Sequence, residues 1–309
     1  MATKTDFLTL ADLSPAKVTS LLDLAVDLKR TWQRGQSERR LAGKTLAMIF
    51  QKPSLRTRVS FDMAMAHLGG RALYLSPDEI KLGQRESIPD VARVLSRYVD
   101  AIMARVYAHS DLLYFLSLTH VPVINGLSDY NHPCQALADL LTIREKLGRL
   151  KGVRLAYVGD GNNVLHSLLF GGTKTGMYVT AATPTGYEPL PEVVREAEKV
   201  AAETGGAIRL VSDAREAADG ADVIYTDTWA NMGQEAEAQA HRQVFPPYQV
   251  NAALLSCAKP DAGVMHCLPA HRGEEITDDV ADGPHSWLFD QAENRLHAQK
   301  AILVDLFAK

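Results

Sequence analysis

The spacing of apolar positions switches between a helical period and short continuous runs, and the switches mark the elements. Behind Ser14-Pro15, a cap followed by a proline suited to the first helical position, Val18, Leu21, Leu22, Ala25 and Leu28 share one helical face, and Gly35 closes the helix. Residues 45–50 are an apolar run that reads as a short buried strand, and Pro53 ends its regular pairing. Ser54 then stands where an N-cap would, and Val59, residues 61–63, Ala66 and Leu68 predict a helix that Gly69-Gly70 stops. A strand at 71–75, an irregular polar segment at 76–86 read as a mobile loop, and a helix capped by Ser87 and running to Tyr98 follow. Strands at 101–105 and 121–125 flank a helix at 111–119, and His132-Pro133 leads into a helix from Cys134 to Leu147, ended by Gly148.

Beyond residue 147 the alternation becomes regular. Strands at 153–158, 177–182, 207–211 and 221–226 are separated by helices at 163–175, 191–204 and 214–218. Strands alternating with helices argue for parallel sheets covered on both faces. Two such series predict an α/β fold of two domains, each a mostly parallel sheet flanked by helices. The division expected is 1–147 and 148–293, with the helical segment 294–309 packing back on the first domain.

Composition narrows the classes. At 309 residues there is room for two cores, and 46% hydrophobic with 23% charged residues is ordinary for a globular protein. A net charge of −4 argues against general nucleic-acid binding. No apolar run approaches the roughly 18 residues that would span a membrane, and the N-terminus lacks the apolar core of a signal peptide. Cys134, Cys257 and Cys267 are odd in number and without framework spacing, which favours a reduced compartment, so a cytoplasmic location is expected.

The chemistry collects at predicted strand ends. Ser54, Arg56, Thr57 and Arg58 fall in or beside the first turn of a helix, where cations oppose the macrodipole. Free backbone N–H groups, hydroxyls and guanidiniums together suit a phosphate-like dianion; the plainer reading is a surface turn with solvated arginines. Arg105, His132 to Gln135, Gly159 to Asn163, Asp227 to Gly233 and His266 to Pro269 occupy other strand ends, the position at which open α/β sheets bind ligands. Gly159-Asp160-Gly161-Asn162-Asn163-Val164 lacks the third glycine of a dinucleotide loop, and no acidic residue closes the next strand. Asn163 at a helix start suits the charged groups of a small zwitterion. His266, Cys267 and His271 match no common zinc spacing. Cys134 and Cys257 read as packed thiols on helical faces; Cys267 is either another or a site residue, and Asp227 either a site residue or a helix cap.

Ser54-Leu55-Arg56-Thr57-Arg58 resembles the phosphate loop of the aspartate/ornithine carbamoyltransferase family, and the His132, Gly159, Asp227 and His266 segments with Glu293-Asn294-Arg295 follow in the family's order from about Phe7 onward. The Asp227 and Cys267 motifs resemble the ornithine branch. The resemblance implies two interdomain helices, at 135–147 and at the C-terminus, homotrimers or multiples of trimers, no cofactor and no metal. It also implies carbamoyl transfer from carbamoyl phosphate to the side-chain amine of L-ornithine, giving citrulline and phosphate in arginine metabolism. Ser54, Leu55, Arg56 and Thr57 would hold phosphate, with Arg105 spanning phosphate and carbamoyl oxygen. His132, Gln135 and Arg295 would polarise the carbamoyl group, which backbone around Cys267 and Leu268 also touches. Asn163, Asp227, Asn231 and Met232 would hold ornithine, and Asp227 with Cys267 would orient its amine. Arg56, Arg105, His132, Asp227 and Cys267 are the catalytic set so implied. Leu55 stands for the family's usual threonine, Asn231 for its serine, and Lys81 for a more usual glutamine or histidine.

Overall fold

A computed structural model describes residues 5–81, 85–229, 241 and 243–308. It divides into two compact units, Met1–Leu141 with Asn294–Lys309, and Thr142–Glu293. Both boundaries fall inside helices.

The first unit contains α1 (Pro15–Gln33), β1 (Thr45–Phe50), α2 (Leu55–His67), β2 (Arg71–Leu75), α3 (Pro77–Ile80), α4 (Ile88–Leu95), β3 (Ala101–Arg105), α5 (His109–Ser117), β4 (Val123–Leu127) and the start of α6 (Pro133–Leu147). Its strands pair in parallel in the order β2-β1-β3-β4. Order reverses between β1 and β3, so the loops after these two strands open at a topological switch point. The core on one side of this sheet joins Ala47, Ile49, Ile102 and Ala104 to Val91, Leu112 and Phe115.

The second unit contains β5 (Arg154–Val158), α7 (Asn163–Lys174), β6 (Tyr178–Ala182), α8 (Pro191–Thr204), β7 (Ala207–Val211), α9 (Ala214–Ala218), β8 (Val223–Thr226), α10 (Ala252–Leu255), β9 (Gly263–His266), α11 (Asp278–Ala281) and the start of α12 (Leu288–Phe307). Its parallel order is β7-β6-β5-β8-β9, with the switch between β5 and β8. Every residue of α7 is buried.

Caps behave as the sequence predicts. Ser14 accepts from Lys17 N, Ser54 from Thr57 N, and Ser87 from Asp90 N. Several limits differ. The helix after Ser87 stops at Leu95 rather than Tyr98, because residues 96–98 tighten into turns that bond back to Val94 and Leu95. The strand expected at 121–125 runs over Val123–Leu127, with a register shift opposite Ala104 and Arg105. The helix expected at 111–119 is His109–Ser117, and α12 begins six residues ahead of Asn294. The segment at 76–86 contains the short α3, and Lys81 beyond it has φ 46°.

Where α12 lies against α1 and α2, Lys300 is buried to 2% exposure, donates to the Leu28 carbonyl at 3.3 Å and sits 5.6 Å from the Trp32 ring centroid. Burial lowers its amine to about 8. His297, one turn earlier, is brought down to about 3 by burial and then by Lys300, Lys29 and His67. The unfolded chain keeps Lys300 protonated up to about pH 10.5, so the cost of this buried charge is full below about 8 and disappears above 10.5. Lys300→Met is expected to stabilise the protein by about 1–3 kcal/mol at neutral pH. The gain in unfolding free energy, measured by urea titration, should shrink between pH 8 and 10; a constant or negative difference would contradict the assignment.

Candidate functional site

In the first unit, the chain leaves β1 through Gln51, whose N–H donates to the Arg105 carbonyl at 2.8 Å, extending the β1–β3 pairing beyond Phe50. Ser54 then takes extended backbone angles and caps α2. Its hydroxyl accepts from Thr57 N at 3.3 Å and lies 3.2 Å from Thr57 Oγ1. Arg295 Nη2 donates to the same Thr57 oxygen at 3.2 Å, while Nη1 donates to Gln135 Oε1 at 2.7 Å. Gln135 Nε2 in turn donates to Asp139 at 2.8 Å. Thr57, Gln135, Asp139 and Arg295 are all buried, so these contacts bring α2, α6 and α12 together in a dry network.

His132, immediately before α6, is buried, and its imidazole is held well below its usual range by burial and then by Arg295, Arg105 and Arg56. It is therefore a neutral ring among guanidiniums. Lys52, which sequence reading did not single out, adds to this field. Its amine is lowered by burial and by Arg105, and lies 4.6 Å from the Tyr107 ring centroid. Cations gathered this closely at the start of a helix favour a bound anion. Arg58 is turned elsewhere, its guanidinium 3.9 Å from the Tyr74 centroid. Leu55 is 76% exposed, consistent with a role for its backbone rather than its side chain. Cys134, buried and pushed up to about 12, is an inert thiol donating to the Asn125 carbonyl.

In the second unit, β5, β8 and β9 deliver the other group. Asp227, one residue beyond β8, accepts from Cys267 Sγ through Oδ1 at 2.8 Å, from Asn162 Nδ2 through Oδ2 at 2.8 Å, and from its neighbour's Thr228 N at 2.8 Å. Asn162 is the N-cap of α7, its oxygen accepting from Val164 N and Leu165 N. Asn163, the residue singled out from sequence, is the first residue of that helix and is also buried. Asn231 and Met232 lie outside the described residues.

The loop after β9 is shaped by a buried pair that spacing alone did not reveal. His266 Nδ1 accepts from Leu268 N at 2.8 Å, and Nε2 faces Glu275 Oε1 at 3.1 Å. The carboxylate fixes the tautomer with the proton on Nε2. Leu268 consequently sits at φ 58°, a left-handed conformation that costs a non-glycine residue of order 1 kcal/mol. Asp227, His266 and Cys267 offer donor atoms within 4.8 Å of one another. Both ring nitrogens of His266 are already committed, so binding a metal there would require breaking one of these contacts.

The glycine-rich loop after β5 has a packing reason. A Cβ on Gly161 would lie 2.3 Å from Pro189 N, and its N–H bonds the Tyr187 carbonyl at 2.8 Å. The glycine is used for close approach of its own chain, not of a pyrophosphate.

Parallel sheets with polar groups massed at their switch points, one cationic and the other centred on a buried carboxylate, define a two-unit α/β protein with a candidate ligand site in each unit. Residues 5–145 match the family model described as aspartate/ornithine carbamoyltransferase, carbamoyl-P binding domain, and residues 151–306 match its Asp/Orn binding domain. The chain belongs to the aspartate/ornithine carbamoyltransferase family. It is 60% identical to the ornithine carbamoyltransferase of Pyrococcus abyssi over 96% of this chain and 94% of that one. The solved ornithine carbamoyltransferase of Pyrococcus furiosus superposes with a TM-score of 0.95 at 59% identity, covering 97% of this chain and 96% of the other. A solved N-acetyl-L-ornithine transcarbamylase mutant is 33% identical with a TM-score of 0.88, covering 98% and 99%.

Proposed function

We infer that the chain is an ornithine carbamoyltransferase, joining the side-chain amine of L-ornithine to the carbamoyl carbon of carbamoyl phosphate. A C–N bond forms, the C–O bond to phosphate breaks, and the amine loses a proton. The observation that carries the choice of ornithine is the Cys267 thiol donating to the Asp227 carboxylate at 2.8 Å. It sets an anion and a soft polar group together at a strand end, a partner for an α-ammonium and a guide for the second amine.

In this reading residues 1–147 with 294–309 bind carbamoyl phosphate and 148–293 bind ornithine. The first-turn N–H groups of α2, Ser54 and Arg56 hold phosphate. Thr57 Oγ1 already accepts from Arg295, which leaves its own proton to donate. Arg105 bridges phosphate and carbamoyl oxygen. Neutral His132 and cationic Arg295 donate to the oxygen as it gains charge, in a low-dielectric setting where such donors count most. Leu268, held in its left-handed conformation, offers backbone to the carbamoyl group. Asn163 and Asp227 take ornithine's α-groups, with Asn231 and Met232 completing that set. The protein works as a trimer in the cytoplasm; the exposed stripe Leu55, Val59 and Met63 along α2 is an apolar face that a second copy would cover. No described helix is long and apolar enough to cross a membrane.

An amine of pKa about 10.4 is neutral in roughly one part in 2,500 at pH 7. Citrulline formation, assayed with ornithine, acetylornithine and putrescine side by side, should be confined largely to ornithine. Its kcat/KM should rise from about pH 6 to about 9, because His132 stays neutral throughout and imposes no opposing limb. Preference for acetylornithine, or a flat profile with chemistry rate-limiting, would overturn this reading.

A further inference from the structure

Beyond Pro269 the loop after β9 folds into a tight turn. Glu274 N donates to the His271 carbonyl at 2.8 Å, and Gly273 supplies the positive φ, 86°, that the third position of such a turn takes. Gln249 Nε2 braces the turn by donating to the Gly273 and Glu274 carbonyls at 3.0 and 2.9 Å. Glu275 follows and is fully buried, and its two oxygens are used unequally. Oε1 accepts from His271 N at 2.5 Å and faces His266 Nε2 at 3.1 Å. Oε2 is just as buried, and among the described residues nothing donates a hydrogen bond to it. It lies 3.9 Å from His271 Nδ1, and the same nitrogen lies 3.9 Å from Glu274 Oε2. One donor atom from each of the three residues falls within 4.8 Å of the others. Arg272, the cation inside the turn, is directed to Asp278 and Asp282 instead.

We propose that His271, Glu274 and Glu275 form a binding site for one divalent transition-metal ion. A carboxylate oxygen that is buried without a donor has given up its hydration for no return, and a bound cation restores the balance. One imidazole nitrogen with two carboxylate oxygens suits an ion such as Zn2+, Co2+ or Ni2+, whereas Mg2+ and Ca2+ take oxygen ligands. Ligand atoms about 2.1 Å from a common ion stand about 3–3.5 Å apart. The side chains of His271 and Glu274 are 52% and 39% exposed, so both can rotate onto the fixed Glu275 oxygen and close the remaining gap. The group of Asp227, His266 and Cys267 differs in that both nitrogens of its imidazole are engaged and its thiol donates to the carboxylate. Here the donor atoms face one another with no hydrogen bond between them, and no thiol takes part.

Co2+ is the probe, because its absorption spectrum reports its ligands. The untagged full-length protein is titrated with Co2+ by calorimetry and by absorption spectroscopy, beside its His271→Ala and Glu274→Gln variants. Both substitutions fall on partly exposed side chains, and a metal-free Tm for each variant checks its fold. Wild type should bind one Co2+ per chain saturably, without a thiolate-to-cobalt charge-transfer band, and excess Mg2+ should not displace the ion. Each substitution should raise the Kd about tenfold or more, since even the outer partners of metal ligands are worth about 10–100-fold. Saturating Co2+ should raise the Tm of wild type more than that of either variant. Absence of saturable binding, displacement by Mg2+, or an unchanged Kd in either folded variant would overturn the proposal. So would a thiolate band that titrates alike in wild type and His271→Ala, which would place the ion at Cys267.

Discussion

Asp227→Asn should lower kcat/KM for ornithine by about 10²–10⁴-fold while leaving carbamoyl phosphate affinity within a factor of about two. The carboxylate accepts from Cys267, Asn162 and Thr228 at once. An asparagine side chain has one oxygen, so its NH2 must face one of these donors. Asn162 cannot relieve the clash by turning over, because its own oxygen caps α7 through Val164 and Leu165. The substitution therefore leaves a buried donor-to-donor contact of about 1–3 kcal/mol and removes the anion proposed to face the substrate's ammonium. Steady-state kinetics in both substrates, with a Tm for each protein, separates these effects. A variant with normal ornithine kinetics would remove Asp227 from the site.

The second large effect concerns Arg56. Arg56→Ala should raise the dissociation constant for carbamoyl phosphate about 10²-fold or more, since a charge-assisted contact to a dianion is lost in a partly buried site. The fold should not suffer. Arg56 lies in the first turn of α2, where a cation opposes the helix macrodipole by a few tenths of a kcal/mol, so unliganded Tm should stay level or rise slightly. Calorimetric titration with carbamoyl phosphate and thermal unfolding without it give the two readings. Near-normal affinity would dismiss the phosphate loop, and a large fall in Tm would make Arg56 a structural residue.

Much of the candidate site was legible because its signals are local. The serines at 14, 54 and 87 were recognisable as caps, since each precedes a proline or an apolar series and bonds within three residues. Gly35, Gly69 and Gly148 adopt the positive φ that ends a helix. Strand ends could be read wherever an apolar run stopped at a polar cluster, which placed Arg105, His132 and Asp227. The segment around α10, β9 and α11 was harder, because elements of four residues are too short to display a period. The role of Glu275 was invisible for another reason: it meets His266 from nine positions further along the chain, and no periodicity reports that pairing. Asn162 was passed over for its neighbour because either amide could cap the helix; only the contact with Asp227 distinguishes them. The Gln135–Asp139 pair could have been found, since a glutamine four residues before an aspartate on a predicted helix is a recognisable side-chain pair.

One consequence concerns the order in which the protein is made. Arg295 reaches Gln135 and Thr57, partners 160 and 238 residues earlier, and the first unit includes Asn294–Lys309. Domains generally fold as units as they leave the ribosome, N-terminal first. Here the N-terminal unit is the last to be completed: Thr142–Glu293 is contiguous and can finish while its predecessor waits for the closing segment of α12. The Ser54–Thr57 turn of a nascent chain therefore lacks its guanidinium brace until α12 has been made, and a stop ahead of α12 would release a chain whose first half had been synthesised in full but never closed.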